Sequence, residues 1–124
     1  MISGVNKAIV IGRLGQDPEL KYTPNGGNAV CNFSLATSER FKTRSGDREK
    51  EETQWHRIVC WGKTAEIAAE HLSKGREVYI EGKIKYRSYE DKNGVKKYAT
   101  EIEAQTVQFI GGKNDKRGSD DIPF

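Results

Sequence analysis

The chain has 124 residues, a length that fits a single domain built around one hydrophobic core. Hydrophobic residues make up 35% of it and charged residues 31%, which predicts a soluble, polar protein with part of its length outside the core. The net charge of +3 permits a polyanionic partner, and no apolar run approaches the length that spans a membrane. The first residues, MISG, resemble neither a signal nor a transit peptide, so we expect a cytoplasmic protein.

Two strands and a charged segment are predicted in the first part of the chain. The first strand covers residues 5–14, where Gly12 marks either a bulge or a close approach of backbone. Turn residues surround a short extended piece at 19–22. A second strand is predicted at 28–37, because alternate apolar residues there share one face. The charged segment 39–52 is predicted to be an exposed loop or a flexible hairpin.

The third predicted strand, TQWHRIVCW at 53–61, contains both tryptophans of the chain. Because side chains of a strand alternate between its faces, one face carries an arginine between two large aromatics and the other looks like core. These faces are Trp55, Arg57, Val59 and Trp61 on one side and His56, Ile58 and Cys60 on the other. Taken alone, the stretch fits either an exposed stacking platform or a strand buried on both sides.

A helix and two further strands complete the predicted domain. The helix covers 64–74, with an apolar stripe at helical spacing that suits a lid over the end of a barrel and with Gly75 placed as its C-cap. Strands at 76–89 and 97–110 are joined through Asn93-Gly94, a strong hairpin signal. Five strands with one short helix between the third and the fourth are the layout of the all-β OB-fold, a five-stranded Greek-key barrel, although other small β-rich folds share this pattern.

The composition changes after the last predicted strand. Residues 111–119 contain no apolar side chain and are predicted to be a disordered, flexible linker. The chain then ends in DDIPF at 120–124, which fits either a hook that docks on a basic-rimmed pocket or an ordinary frayed terminus. We therefore predict an OB-fold domain at 1–110, a linker at 111–119 and an interaction tip at 120–124.

The sequence contains no recognisable catalytic or metal-binding constellation. His56 and His71 stand apart on a predicted strand and a predicted helix, and His71 fits a packing role. Cys31 and Cys60 lie far apart within apolar runs, which indicates reduced core thiols rather than a metal site. Residues 12–15 lack the lysine and hydroxyl residue of a phosphate-binding loop. We therefore expect no enzyme activity, no metal and no cofactor.

Aromatic and basic residues are interleaved in a way typical of single-stranded nucleic-acid binding. Such proteins stack bases on aromatic faces, at about 1–3 kcal/mol per base, and follow the phosphates with cations. Phe41 sits among charged residues, which favours exposure over burial. Lys85, Arg87 and Tyr89 share one face of the predicted fourth strand. The candidate stacking residues are Phe41, Trp55, Trp61 and Tyr89, and the candidate cations beside them are Arg57, Lys85 and Arg87.

A series of ordered motifs resembles those of the bacterial-type single-stranded DNA-binding protein (SSB) family. The resemblance covers nearly all of the first 110 residues, and so many ordered matches are highly specific. The motifs are GVNK at 4–7, GRLGQDPE at 12–19, YTPNGG at 22–27, LATSE at 35–39, ETQWHR at 52–57, KG at 74–75 and VYIEG at 78–82. The terminal DDIPF is similar to the acidic tip by which the family recruits other DNA-maintenance proteins.

The resemblance implies a protomer that assembles into a homotetramer and wraps single-stranded DNA, protecting it during replication, recombination and repair. The implied stacking positions are Phe41, Trp55, Trp61 and Tyr89, and the implied phosphate contacts are Lys7, Lys63, Lys74 and Arg87. His56 falls at a position linked to subunit contacts in the family. The implied partner-binding tip is Asp120, Asp121, Ile122, Pro123 and Phe124.

Two departures from the family pattern bear on assembly. Glu77 stands where glutamine is often found near the tetramer interface. The linker is shorter than the tether usual in bacterial members, which suggests a phage, plasmid or otherwise compact version with weaker cooperative binding. The resemblance implies a cytoplasmic, nucleoid-associated protein encoded by a bacterium, phage or plasmid. Two other functions stay open, an adaptor that acts chiefly through its tail and an RNA-binding OB protein, although nothing in the sequence reads a 2′-hydroxyl.

Overall fold

Six strands and one helix form the described part of the chain. The computed structural model describes residues 3–24, 26–42 and 49–110. The elements are β1 (Ala8–Leu14), β2 (Glu19–Tyr22), β3 (Ala29–Lys42), β4 (Glu49–Trp61), α1 (Gly62–His71), β5 (Glu77–Glu90) and β6 (Lys96–Ile110). The predicted linker and tip at 111–124 lie outside the described residues.

Five of the strands close into a barrel. The sheet runs β1-β5-β6-β4-β3-β2, and a second pairing of β1 with β3 closes it into a ring from which β2 projects beside β3. The pairing of β4 with β6 is parallel, whereas the others are antiparallel. The helix follows β4, the third strand of the ring, and precedes β5, the fourth. The predicted OB-fold is therefore confirmed.

Two glycines permit the close strand contacts of this ring. A Cβ atom at Gly12 would collide with the carbonyl oxygen of Ala36, so the close-approach interpretation of this residue is the right one. A Cβ atom at Gly82 would collide with the carbonyl oxygen of Glu103. The register between β5 and β6 shifts at the step from Glu81 to Gly82, a bulge that bends the sheet.

The core fills the inside of the ring with aliphatic residues. The predicted inward faces of β3 and β4 are confirmed, because their apolar side chains are all buried. The helix covers one end of the barrel, as the predicted lid should; it places two side chains in the same cluster, and the turn after it adds a third. The core residues of these three elements are Cys31, Phe33 and Leu35, then Ile58 and Cys60, then Ala65, Ala68 and Leu72 of the turn after α1.

The helix ends earlier than its apolar stripe predicts. Leu72 takes an extended conformation (φ −95°, ψ 151°) and turns its side chain into the core, which stops the helix at His71. The backbone N–H of Lys74 donates to Asp17 Oδ1 at 2.9 Å instead of to a helical carbonyl. Gly75 has a positive φ of 87° but is a turn residue beyond the helix and not its C-cap, so that part of the prediction is wrong.

Long hairpins extend two strand pairs beyond the ring. The charged segment predicted as a loop or hairpin is a hairpin in its described part, with pairs from Glu39↔Glu52 to Lys42↔Glu49. The β5–β6 hairpin closes at Asp91, whose Oδ1 accepts the N–H groups of Asn93 and Val95, both at 2.9 Å. Gly94 has a φ of 78°, which explains why glycine follows Asn93 there.

The two cysteines face each other across β3 and β4. Cys31 and Cys60 are register partners, and both side chains are fully buried. Burial raises the pKa of the Cys31 thiol to about 11 and, together with the neighbouring thiol, that of Cys60 to about 12. Both cysteines are thus the protonated core thiols that the sequence predicts.

These thiols should make the fold sensitive to alkali. The unfolded chain ionises its thiols from the ordinary value of 9.0, whereas the folded chain keeps both protonated up to about 11. The unfolded state therefore binds fewer protons in this window, and each thiol lowers the free energy of unfolding by about 1.4 kcal/mol per pH unit. We expect urea titrations of Cys31→Ala/Cys60→Ala to show a shallower loss of stability from pH 9 upward. Equal slopes for the variant and the wild type would contradict this account.

Candidate nucleic-acid interface

An aromatic platform stands on the outer face of β4. We use platform for Trp55, Arg57, Val59 and Trp61, of which Val59 is buried and the tryptophans are 61% and 45% exposed. On β3, Ala36 pairs with Trp55 and Val30 pairs with Trp61, so only small or short side chains stand beside the rings. The interpretation that this strand is buried on both sides is therefore wrong for both tryptophans.

Gly15 holds one edge of the platform. A Cβ atom at Gly15 would lie 2.8 Å from Cη2 of Trp55 and closer still to Cζ3, so the indole rests against the glycine backbone. The N–H of Gly15 donates to the carbonyl oxygen of Ser34 at 3.0 Å, which fixes this backbone to β3. Sequence reasoning missed the residue, and its only signal was its place in the GRLG motif.

A groove runs beside the platform. It consists of two adjoining depressions of about 300 Å³ and about 510 Å³ that share Asn32, Arg87 and Glu101. Arg57 lines the smaller one, and Trp61 lines the larger one. The other lining residues are Gln16, Glu19, Phe33 and Ser34 in the first, and Val30, Val59, Lys85, Tyr86 and Glu103 in the second. The structure thus brings four predicted site residues together: Arg57, Trp61, Lys85 and Arg87.

Carboxylates already neutralise some of the predicted phosphate contacts. Glu101 is buried and accepts two hydrogen bonds from Arg87, at 2.7 Å from Nη2 and 3.2 Å from Nε. This hydrogen-bonded carboxylate raises the pKa of Arg87 further above its usual range. Lys85 lies 3.9 Å from Glu103. Sequence reasoning missed both carboxylates, although their alternation on the predicted last strand was a usable signal.

Lys7 lies outside the groove. Its Nζ is 2.6 Å from Oε2 of Glu81, while the hydroxyl of Tyr79 donates to Oε1 of the same carboxylate at 2.8 Å. These contacts raise the pKa of Lys7 and lower that of Glu81. The exposed side chains of Ile9 and Ile11 share this outer face of β1 and β5.

Three other predicted cations are without a carboxylate partner among the described residues. Arg57 lies on the platform, Lys63 lies in the first turn of α1, and Lys74 follows the helix; all three are exposed. Because nothing neutralises them within the described part of the chain, they are the cations best placed to meet phosphate.

The two remaining predicted aromatics occupy the hairpins. Tyr89 is exposed, shares a face of β5 with Lys85 and Arg87, and has the guanidinium carbon of Arg87 5.5 Å from its ring centre. Phe41 is exposed too, but it pairs with Lys50 and has the inward parity of Leu35 on β3. It therefore lies on the face of the β3–β4 hairpin opposite to Trp55.

The two histidines have different surroundings. Nε2 of His56 and Oγ1 of Thr37 share a hydrogen bond of 2.9 Å on the half-buried inner side of the β3–β4 pair. His71 packs its ring on Phe109, with 5.4 Å between ring centres, which confirms the packing role. Within residues 3–24, 26–42 and 49–110, no three histidine, cysteine or acidic side chains cluster as metal ligands. No helix in that part of the chain is long and apolar enough to cross a membrane.

Comparison with known proteins decides the family. Residues 5–110 match the family described as "Single-strand binding protein family". The chain belongs to this family. It is 50% identical over 125 residues to "Single-stranded DNA-binding protein 1" of Chlorobaculum tepidum, an alignment that covers 100% of the chain and 76% of that protein. The structure resembles "Plasmodium falciparum SSB complex with ssDNA" with a TM-score of 0.79 and 35% identity, over 88% of this chain and 97% of that one.

Membership of the SSB family confirms the resemblance stated from the motifs. It also agrees with the expectation that the chain is not an enzyme, because proteins of this family bind DNA without catalysing a reaction. The DNA contacts assigned to individual aromatic and basic residues all stay predictions.

Replacing Gly15 tests whether it positions Trp55. We expect Gly15→Ala to lower affinity for a dT oligomer by up to about tenfold, because the added methyl group must displace an indole that can stack on a base. Binding isotherms from fluorescence titration measure the change. The matched control repeats the substitution in a Trp55→Leu background, where it should have little effect. An equal loss in both backgrounds would show that Gly15 acts on the backbone instead.

Proposed function

We propose that this chain binds single-stranded DNA without sequence preference along the platform and the groove. The observation that carries the proposal is the pair of exposed tryptophans on one strand face, beside a groove that holds Arg57, a cation with no carboxylate partner among the described residues. Every base has a π-face, so stacking on these rings does not depend on sequence. The Chlorobaculum relative and the Plasmodium complex support the proposal through what their names say they bind.

Bases and phosphates meet different parts of this surface. Bases stack on Trp55 and Trp61, whose faces the small side chains of β3 leave open. The phosphates contact Arg57 on the platform and then Lys63, which lies two residues after Trp61 in the first turn of α1. Tyr89 extends the stacking surface onto the β5–β6 hairpin, Phe41 offers a further ring on the other face of the β3–β4 hairpin, and Lys74 adds a cation near the helix end.

The acidic residues of the groove lower its affinity for DNA. A phosphate that approaches Lys85 or Arg87 must compete with Glu103 or Glu101 for the same cation. Arg87 is held by the shorter and more buried pair, so its guanidinium is the better positioned but the less available. We infer that Arg87 orients Tyr89 as much as it contacts phosphate, since it lies over that ring.

A titration with dT oligomers tests the function. We expect salt-sensitive binding that quenches tryptophan fluorescence, with Trp55→Ala weakening it by about tenfold or more, because a stacked base contributes about 1–3 kcal/mol. Lys63→Ala should cost less. Binding that is absent, or that ignores salt, would rule out the proposed function.

The salt dependence separates the two classes of cation. Each phosphate contact adds about −0.7 to the slope of log K against log salt for a single strand. Arg57→Gln should therefore flatten the slope by about that amount. Lys7→Gln, which removes a cation already paired with Glu81, should leave the slope unchanged. The opposite ranking would show that the Lys7–Glu81 pair opens for DNA.

We further propose that the protomer assembles into a homotetramer. Ile9 and Ile11 form an apolar strip on the outer face of β1, a surface that a second copy of the barrel would cover. Glu77, the departure near the expected interface, lies 3.9 Å from Arg13 of the same protomer, so its charge has a local partner. His56 is proposed as a subunit contact from the resemblance. The mass of the full chain in solution by light scattering tests the assembly.

The tip at 120–124 is proposed to recruit replication, recombination and repair proteins to DNA in the cytoplasm, at the nucleoid. Its two acids and two apolar residues support docking on a basic-rimmed pocket. We expect deletion of Phe124 to abolish capture of such partners on a DNA-loaded resin while affinity for dT stays nearly unchanged. Capture that survives the deletion would contradict the hook. Loss of DNA binding as well would contradict the separation of tip and barrel.

A further inference from the structure

The β5–β6 hairpin has a second aromatic surface, which meets the groove only at Tyr86. Beyond residues 82 and 102 the two strands pair only with each other, forming a two-stranded arm at 85–101. The register places alternate residues on one face of it, which we call the back face. Its residues are Tyr86, Ser88 and Glu90 of β5 and Lys96, Tyr98 and Thr100 of β6.

Two tyrosines on the back face are unusually open to solvent. Tyr86 is 79% exposed and Tyr98 is 74% exposed, more than either tryptophan of the platform. Neither phenolic hydroxyl has a hydrogen-bond partner in the described part of the chain, and neither ring belongs to the core. The rings therefore contribute little to holding the barrel together.

The two faces of the arm have matching chemistry. On the front face, the guanidinium carbon of Arg87 lies 5.5 Å from the ring centre of Tyr89. On the back face, Nζ of Lys96 lies 6.0 Å from the ring centre of Tyr98. Each face thus presents an aromatic ring with a cation beside it, the combination that holds single strands.

The spacing of the tyrosines suits one inserted base. Tyr86 pairs with Thr100 and Tyr98 pairs with Ser88, so the two tyrosines are diagonal neighbours across the strands. Diagonal neighbours are about 7–8 Å apart. This spacing between strand positions is of the size that one base inserted between two rings requires.

We propose that the back face binds a second stretch of the same single-stranded DNA, with one base between Tyr86 and Tyr98 and a phosphate at Lys96. The inference rests on the proposed function. The strand leaves the groove, passes around the edge of the arm and continues on the other side. Because the arm is only two strands wide, with about 5 Å between them, the path around it is short.

The composition of the back face favours DNA over a second copy of the chain. Ser88 and Thr100 are the register partners of the two rings, and Ile102, the apolar neighbour of Tyr86 on β6, is buried, so the exposed patch is small for a contact between proteins. Glu90 is the register partner of Lys96, so a phosphate at Lys96 must compete with this carboxylate, whereas Asp91 has its carboxylate occupied by two backbone N–H groups. Lys92, Lys96 and Lys97 give this end of the arm cations that attract phosphate.

A length series of dT oligomers tests the second site with the full chain. We expect wild-type affinity to keep rising beyond the oligomer length at which Tyr86→Thr/Tyr98→Thr reaches its plateau. At the longest length the double variant should bind at least fivefold more weakly, the lower bound for one lost stacked base. Threonine keeps the strand propensity of these positions. Tyr86→Phe/Tyr98→Phe, which retains both rings, should behave as the wild type.

A control variant and a photo-cross-linking experiment test the second site independently of the length series. Tyr22→Thr removes another exposed tyrosine, on β2, and should leave the length series unchanged. Photo-cross-linking of a dT oligomer containing 5-iododeoxyuridine should label Tyr98, which does not line the groove, in the wild type, and mass spectrometry locates the adduct. Labels confined to the groove, with identical length series for the variant and the wild type, would overturn the proposal.

Two further outcomes separate the hypotheses. If the double substitution changes the mass of the DNA-free protein, the back face is a contact between copies and the proposal is overturned. If the wild type does not bind dT at all, the proposed function itself fails, and this inference fails with it. Binding by the wild type with no effect of the substitutions would overturn the second site alone.

Discussion

Closure of the barrel is the constraint on which the candidate site depends. The backbones of β1 and β3 approach so closely that only glycine fits at position 12. Once the ring is closed, every residue of β3 and β4 faces either a filled core or solvent. Phe33 and Ile58 are register partners and occupy the inside, so Trp55 and Trp61 must stand outside. The aromatic platform is thus a consequence of strand parity in a closed barrel.

Electrostatics then divides the cations of the outer surface into two kinds. Arg87, Lys85 and Lys7 each have a carboxylate partner from a neighbouring strand, whereas Arg57 and Lys63 have none in the described part of the chain. Paired cations hold neighbouring groups in place. They contribute less to the free energy of phosphate binding, because a phosphate must first displace the carboxylate. A surface of this design depends more on stacking than its basic composition suggests.

Most of the fold could be predicted from the alternation of side chains along the strands and from the residues of the turns. The inward faces of β3 and β4 follow from a side-chain period of 2.0 residues, and the helix over the barrel end follows from a period of 3.6. The hairpin follows from the turn residues Asn93-Gly94. Errors arose where tertiary contacts competed with those patterns. The helix stops at His71 because Leu72 turns into the core and the N–H of Lys74 finds Asp17. An apolar stripe cannot report a hydrogen bond to a loop 57 residues away.

The sequence by itself determined the barrel, the family and the identity of the aromatic candidates, since side-chain periodicity and ordered motifs are local properties of the chain. Only the tertiary structure decided which candidates share a surface. Trp55 packs against Gly15, and Arg87 is hydrogen-bonded to Glu101. Lys7 lies on another face of the barrel, paired with Glu81, and Phe41 lies on the far side of its hairpin. These relations join residues that are distant in sequence, and only the register of the closed sheet brings them together. The two open tyrosines of the back face became visible for the same reason.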